Sequence, residues 1–162
     1  MVRIFLKSVV IWLSSLTLLI SCQSADKSPC VPTPITTQAP DGEIAQLKQF
    51  IESNQISATA DKRGFYYAIQ KSGSTEKPTV CSNVSVNYEG HLTNGTRFDS
   101  GQDVSFGLNQ LIVGWQEGIP LIGPGGRITL YLPPALAYGS QEQGEIPANS
   151  ILIFQIDLLA IH

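Results

Sequence analysis

Two stretches of the chain alternate apolar and polar residues with a period of two. Val84, Val86 and Tyr88 interleave with Ser85, Asn87 and Glu89, and Ile128, Leu130 and Leu132 interleave with Arg127, Thr129 and Tyr131. Side chains on a strand point to opposite faces in turn, so both stretches predict half-buried β-strands. FYYAIQK (Phe65 to Lys71) predicts another strand and Val104 to Leu108 a short one. The isoleucine-rich run Ile151 to Ile161 predicts a central strand, and Asn94-Gly95 marks a tight turn. The period changes at two places. Ile44, Leu47 and Ile51 recur every three or four residues, with Phe50 widening the stripe. This predicts a short helix from Gly42 or Glu43 behind an Asp41 cap, docked on its own domain. Gly114 to Leu121 predicts a second short helix, ended by Gly123-Pro124-Gly125-Gly126. Together these elements predict an α+β fold: a curved antiparallel β-sheet wrapped around one short helix, with an N-terminal helix.

The first forty residues follow none of these patterns. Residues 1–21 predict an export signal, with Arg3 and Lys7 at the start and an apolar run through Ile20. The run is short for a membrane-spanning helix, and Ser14, Ser15 and Thr17 interrupt it. Leu19-Ile20-Ser21-Cys22 resembles the bacterial lipobox. That resemblance implies cleavage before Cys22 and lipidation of its thiol. With Gln23 rather than Asp following, it also implies the outer membrane of a Gram-negative cell. Each buried acyl methylene contributes ~0.8 kcal/mol to anchoring. Residues 22–40 contain four prolines and no apolar period, which predicts a flexible tether. Residues 41–60 are then the helix and a connection, and residues 61–162 the main domain. Export permits a disulfide between Cys30 and Cys81. Nothing in their spacing shows that the two meet, so two free thiols is the default expectation.

With 162 residues the chain has room for one domain with a core. Its net charge of −3 argues against nucleic acid as a partner, which would need a basic face. The sequence shows no Cys/His cluster with metal-ligand spacing, and the only histidines are His91 and His162. No Ser/His/Asp arrangement stands out. Gly123 opens a glycine-rich stretch that lacks the Lys-Ser/Thr of a phosphate loop. No metal, cofactor or covalent chemistry is therefore expected.

What remains is aromatic: Tyr88, Phe98, Phe106, Trp115, Tyr138 and Phe154, each beside a turn or strand. Their spacing alone is equally that of core residues. Their contexts, VNYEGHLTNGTRFDS, QLIVGWQEGI, LPPALAYGS and GEIPANSILIFQIDLL, resemble in this order the FKBP-type peptidyl-prolyl isomerases over about residues 78–161. The leader, tether and first helix resemble membrane-anchored bacterial members. The resemblance implies a pocket with Trp115 as its floor, where Gly114 lets the backbone turn sharply so that the indole faces inward. Tyr88, Phe98, Phe106 and Phe154 would be its walls, and Leu111 and Ile112 its approach. Tyr138 and Ile146 would come from the loop before the last strand. Asp99 would be the one acid, acting through its field or as a structural acceptor for Tyr88. Only SGQDV joins Asp99 to Ser105, shorter than the family pattern and without a basic neighbour for Asp99. The implied partners are proline-containing polypeptides of the cell envelope, the membrane through Cys22, and macrolide inhibitors; the implied state is a monomer. The competing expectation is a non-catalytic chaperone or assembly module of the same fold.

Overall fold

The computed structural model describes residues 30–32 and 34–162. The expected signal segment 1–21 and lipidation site Cys22 lie outside them. The first element is helix α1 (Asp41–Ser53). Six strands follow: β1 (Thr59–Ala60), β2 (Tyr66–Lys71), β3 (Asn83–Leu92), β4 (Arg97–Gly107), β5 (Gly126–Leu132) and β6 (Leu152–Ile161). They form one antiparallel sheet in the order β1-β2-β5-β6-β3-β4. A second helix, α2 (Val113–Gly118), lies between β4 and β5 in the chain. The fold is the expected α+β sheet with a short helix, and the isoleucine-rich β6 is central, bonded to both β5 and β3. Val84, Val86, Ile128, Leu130, Leu132, Leu152, Ile156 and Leu158 are fully buried. They are the alternate residues of three neighbouring strands, and they form the concave face against which α2 packs.

The second half of the β3–β4 hairpin differs from expectation. Val104 to Leu108 does not form a separate short strand; β4 runs unbroken from Arg97 to Gly107. Two bulges accommodate the sequence. Gly90 pairs with Asp99 and His91 with Arg97, leaving Phe98 extra; Val86 pairs with Val104 and Tyr88 with Gly101, so Gln102 and Asp103 face Asn87 alone. Asp103 adopts a left-handed φ of 49°, and its N–H donates to Asn87 Oδ1 at 2.8 Å. The short SGQDV segment is thus absorbed as a bulged strand, a common device where a strand must be re-aimed.

Helix α1 docks on the domain, as expected, through Leu47 and Ile51, which are buried, and Ile44, which packs on the core. Its cap differs. Asp41 is the first helical residue, and Pro40 stands at the cap position with no side-chain acceptor. The Pro40 carbonyl accepts from both Glu43 and Ile44 N–H.

The expected free thiols are also overturned: Cys30 and Cys81 form a disulfide, with their Cα atoms 5.6 Å apart. The physical reason is that residues 34–40 do not hang free. Arg63 Nη1 donates to the carbonyls of Ile35 and Thr37, Ala39 N–H donates to Arg63 O at 3.0 Å, and the Ala39 side chain is buried. These contacts lay the arm along the domain and bring Cys30 to Cys81. The flexible tether expected over 22–40 therefore does not extend to residue 40.

Gly114 is also explained differently. Its φ is not among the positive ones, so no sharp turn demands a glycine there. The demand is closeness. A Cβ on Gly114 would lie 2.4 Å from Leu132 Cδ1, and one on Gly118 would lie 2.6 Å from Leu130 Cδ1. Both leucines are fully buried on β5, so making room would require the core around them to repack. Replacing Gly114 with Ala should therefore destabilise the fold by about 1–3 kcal/mol through overpacking, against a helix-propensity gain of about 1 kcal/mol. Urea unfolding followed by Trp115 fluorescence measures the balance, and a net gain would refute the closeness argument. With Cys22 replaced by Ser, thiol titration should find no reactive cysteine before reduction and two after it. Replacing Cys30 with Ser should cost about 2–4 kcal/mol of stability.

Candidate active site

Trp115 enters the core from the first half of α2 and is 4% exposed. Three aromatic rings stand edge-on around it. The ring centroids of Tyr88 and Phe154 are each 5.2 Å from that of Trp115, and that of Phe106 is 6.1 Å away. The interplanar angles are 81°, 89° and 87°, the edge-to-face geometry that ring quadrupoles favour. Above them opens a cavity of about 230 Å³ lined by Tyr88, Asp99, Phe106, Gln110, Leu111, Ile112, Trp115, Tyr138 and Phe154. The indole is buried but not sealed. Its Nε1–H has no hydrogen-bond partner.

The bulge at Phe98 explains how two adjacent residues both serve this side of the sheet, which a regular strand forbids. Asp99 lines the cavity, while Phe98 stands behind it with its ring edge-on to Phe154 at 5.5 Å. Gly90 permits that pairing, since a Cβ there would lie 2.6 Å from the Phe98 ring and 3.0 Å from that of Phe154. Asp99 is exposed at the rim. Its Oδ2 accepts from the Tyr88 hydroxyl at 2.8 Å and its Oδ1 from the Ser100 N–H at 2.8 Å. It takes part in none of the four ion pairs among the described residues. Burial, the hydrogen bond to Asp99 and the charges of Asp99 and Tyr138 push the Tyr88 phenol up to about 12. Burial, then the charge of Asp99, also raises Tyr138. Both phenols therefore remain protonated donors at physiological pH.

The approach is built by the 3-10 turn Leu108–Gln110 and the two residues after it. Gln116 Nε2 reaches back from α2 to the Leu111 carbonyl at 2.6 Å, which fixes that stretch. The Ile112 N–H has no acceptor among the described residues. Tyr138 overhangs from the loop after β5 and is 38% exposed.

Of the ten expected site residues, eight line one cavity. Phe98 supports a wall instead. Ile146 is buried in the core, within a small turn where it exchanges hydrogen bonds with Gln143. Gln110 lines the cavity without having been expected. Its position directly before Leu111-Ile112 was the only signal available. Among the described residues no group of three or more His, Cys, Asp or Glu could hold a metal.

The sequence profile of FKBP-type peptidyl-prolyl cis-trans isomerases matches residues 74–159, more than half of the chain. The chain belongs to that family. An FKBP-type peptidyl-prolyl cis-trans isomerase FkpA of Buchnera aphidicola is 46% identical over 120 residues, covering 71% of this chain and 47% of that protein. A peptidyl-prolyl cis-trans isomerase Mip of Coxiella burnetii is 43% identical over 103 residues, covering 60% of this chain and 45% of that protein. The crystal structure of FkpA from Escherichia coli superposes with a TM-score of 0.67 at 36% identity, covering 74% of this chain and 59% of that one. The chain spans about half the length of the curated relatives it matches.

The burial of Tyr88, reinforced by its hydrogen bond to Asp99, has a measurable consequence. Raising the folded pKa above the unfolded value of about 10 means that the folded state holds a proton the unfolded state has released. The stabilisation is therefore present below pH 10 and declines as pH rises towards about 12. Absorbance titration of the phenolates should show Tyr88 ionising last, and Asp99→Asn should bring that step down. An unchanged step would mean that the carboxylate does not act on the phenol.

Proposed function

We propose that this chain is a peptidyl-prolyl cis-trans isomerase that assists folding of envelope or secreted proteins, held to a membrane by lipid on Cys22. The observation that carries the reading is the open aromatic cavity with Trp115 at its floor and its one charged residue, Asp99, exposed at the rim. Rotation about an X–Pro bond is slow because its partial double bond imposes a barrier of ~18–20 kcal/mol. Midway through rotation the amide loses resonance, its carbonyl is less polar, and it depends less on water. A dry aromatic site therefore disfavours the planar amide relative to the twisted one, which is differential binding with no bond made or broken. Each tenfold in rate requires about 1.4 kcal/mol of that preference.

In this reading the pyrrolidine ring sits on Trp115 between Tyr88, Phe106 and Phe154. The unengaged Ile112 N–H donates to a substrate carbonyl, and the Tyr138 hydroxyl donates from the opposite lip. Leu111 and Gln110 meet the residues flanking the proline. Asp99 orients the Tyr88 ring and places negative potential at the rim; it is not a general base, because the reaction transfers no proton. Phe98 and Ile146 act indirectly, by holding Phe154 and the Tyr138 loop. No cofactor or metal is needed, macrolide inhibitors would occupy the same cavity, and the protein would work as a monomer. The proposed place is the cell envelope, on the outer membrane facing the periplasm. Among the described residues no helix is long and apolar enough to cross a membrane.

A protease-coupled isomerisation assay on a proline tetrapeptide tests the proposal. The wild-type chain should accelerate cis-to-trans conversion. Trp115→Leu should lower kcat/KM at least about tenfold, and Asp99→Val by a smaller factor. Peptide binding without acceleration over buffer would replace the enzyme with a proline-segment-binding chaperone of the same fold. Cys22→Ser should move the protein from the membrane to the soluble fraction; if it stays, the anchor is not lipid on this thiol.

A further inference from the structure

The loop that carries Tyr138 begins with two prolines. Pro133 and Pro134 have no N–H, so Ala135 offers the first backbone donor of the 3-10 turn Pro134–Leu136. A donor at that position finds no partner within its own turn. The usual remedy, an acceptor side chain at the cap residue, is denied by Pro133. The acceptor comes instead from another part of the molecule. Ala135 N–H donates to Glu43 Oε2 at 2.8 Å, across 92 residues of sequence, in a partly buried setting.

Both ends of this contact are fixed. Glu43 lies in the first turn of α1, which Leu47 and Ile51 hold in the core. On the other side, Leu136 N–H donates to Pro133 O, and the N–H groups of Ala137 and Gly139 both donate to Pro134 O at 2.9 Å. Tyr138 lies inside the loop that the Gly139 bond closes, so its backbone is fixed relative to the turn and the turn relative to Glu43. A hydrogen bond from a backbone N–H to a carboxylate is stronger than one to a neutral acceptor.

We infer that Glu43 is a positioning residue for the pocket: from a helix outside the family-matched residues 74–159, it sets the turn that aims Tyr138 across the mouth. It touches no substrate and acts only through Ala135. The inference rests on the proposed isomerase activity for the kinetic part of its test alone.

The purified full chain in detergent is compared with Glu43→Ala, Glu43→Gln, Tyr138→Ala and the double variant Glu43→Ala/Tyr138→Ala. Amide hydrogen exchange is the first readout. Glu43→Ala should speed exchange at Ala135 at least about tenfold while β6 keeps its protection, which separates the local effect from failure to fold. In the isomerisation assay Glu43→Ala should lower kcat/KM about fivefold, and Glu43→Gln, which keeps an acceptor oxygen, should restore most of it. Glu43→Ala should then have no further effect once Tyr138 is Ala, because coupled residues are not additive. Unchanged exchange at Ala135, or losses that simply multiply, would overturn the inference. Absence of turnover in the wild-type chain would instead refute the isomerase. The same four-variant cycle is then read on the Kd of an Ala-Leu-Pro-Phe peptide, where coupling supports the role of Glu43 and independence rejects it.

Discussion

Helix α2 closes on β5 across two glycines, and the place of Trp115 follows from that contact. With Gly114 against Leu132 and Gly118 against Leu130, the backbone comes close enough for the indole to reach the centre of the concave face. There it meets Tyr88, Phe106 and Phe154, each nearly perpendicular to it. Rings stacked flat on the indole would fill the space above it. Rings meeting it by their edges stand as walls, so a well-packed aromatic cluster can still leave a hole. The cavity is a consequence of ring orientation and not of missing packing, which suits a site that must stay open without collapsing.

The charge in the cavity is kept off that floor. Asp99 is the one charged residue among those lining the cavity, and it is at the rim, engaged by a phenol and a backbone N–H. Burial, and then Asp99, raises both nearby tyrosines further above an ordinary value that already leaves them protonated, so the lip presents hydroxyl donors rather than phenolates. Donors at the edge and hydrocarbon below can hold a peptide by its carbonyls while its proline ring loses contact with water. That division is what differential binding of a twisted amide asks for.

Much of this was legible in the sequence, for identifiable reasons. Period-two alternation marked β3 and β5 because one face of each is buried, and a long isoleucine-rich run marked β6, which is central. The motif around Trp115 carried the pocket. The misses share a cause, which is contact between distant residues. Nothing local says that Gly114 answers to Leu132, that Cys30 lies beside Cys81, or that Glu43 serves Ala135. The bulges at Phe98 and at Gln102-Asp103 escaped because each depends on register against β3, which the β4 sequence does not contain. Ile146 was misplaced because an apolar residue in a polar loop can point either into a pocket or into the core; here the turn it makes with Gln143 points it into the core.

The docked arm also changes how the proposed anchor would work. A tether over residues 22–40 could span roughly 60 Å when extended. The disulfide fixes the chain to the domain at Cys30, which leaves eight steps from Cys22, at most about 30 Å. The attachment point is also close to the pocket. Asn109 Nδ2 lies 3.7 Å from Cys30 Sγ, and the next residue, Gln110, lines the cavity. Lipid on Cys22 would therefore hold the mouth within one short leash of the membrane surface. Reducing the Cys30–Cys81 bridge would lengthen that leash without touching the residues that line the cavity.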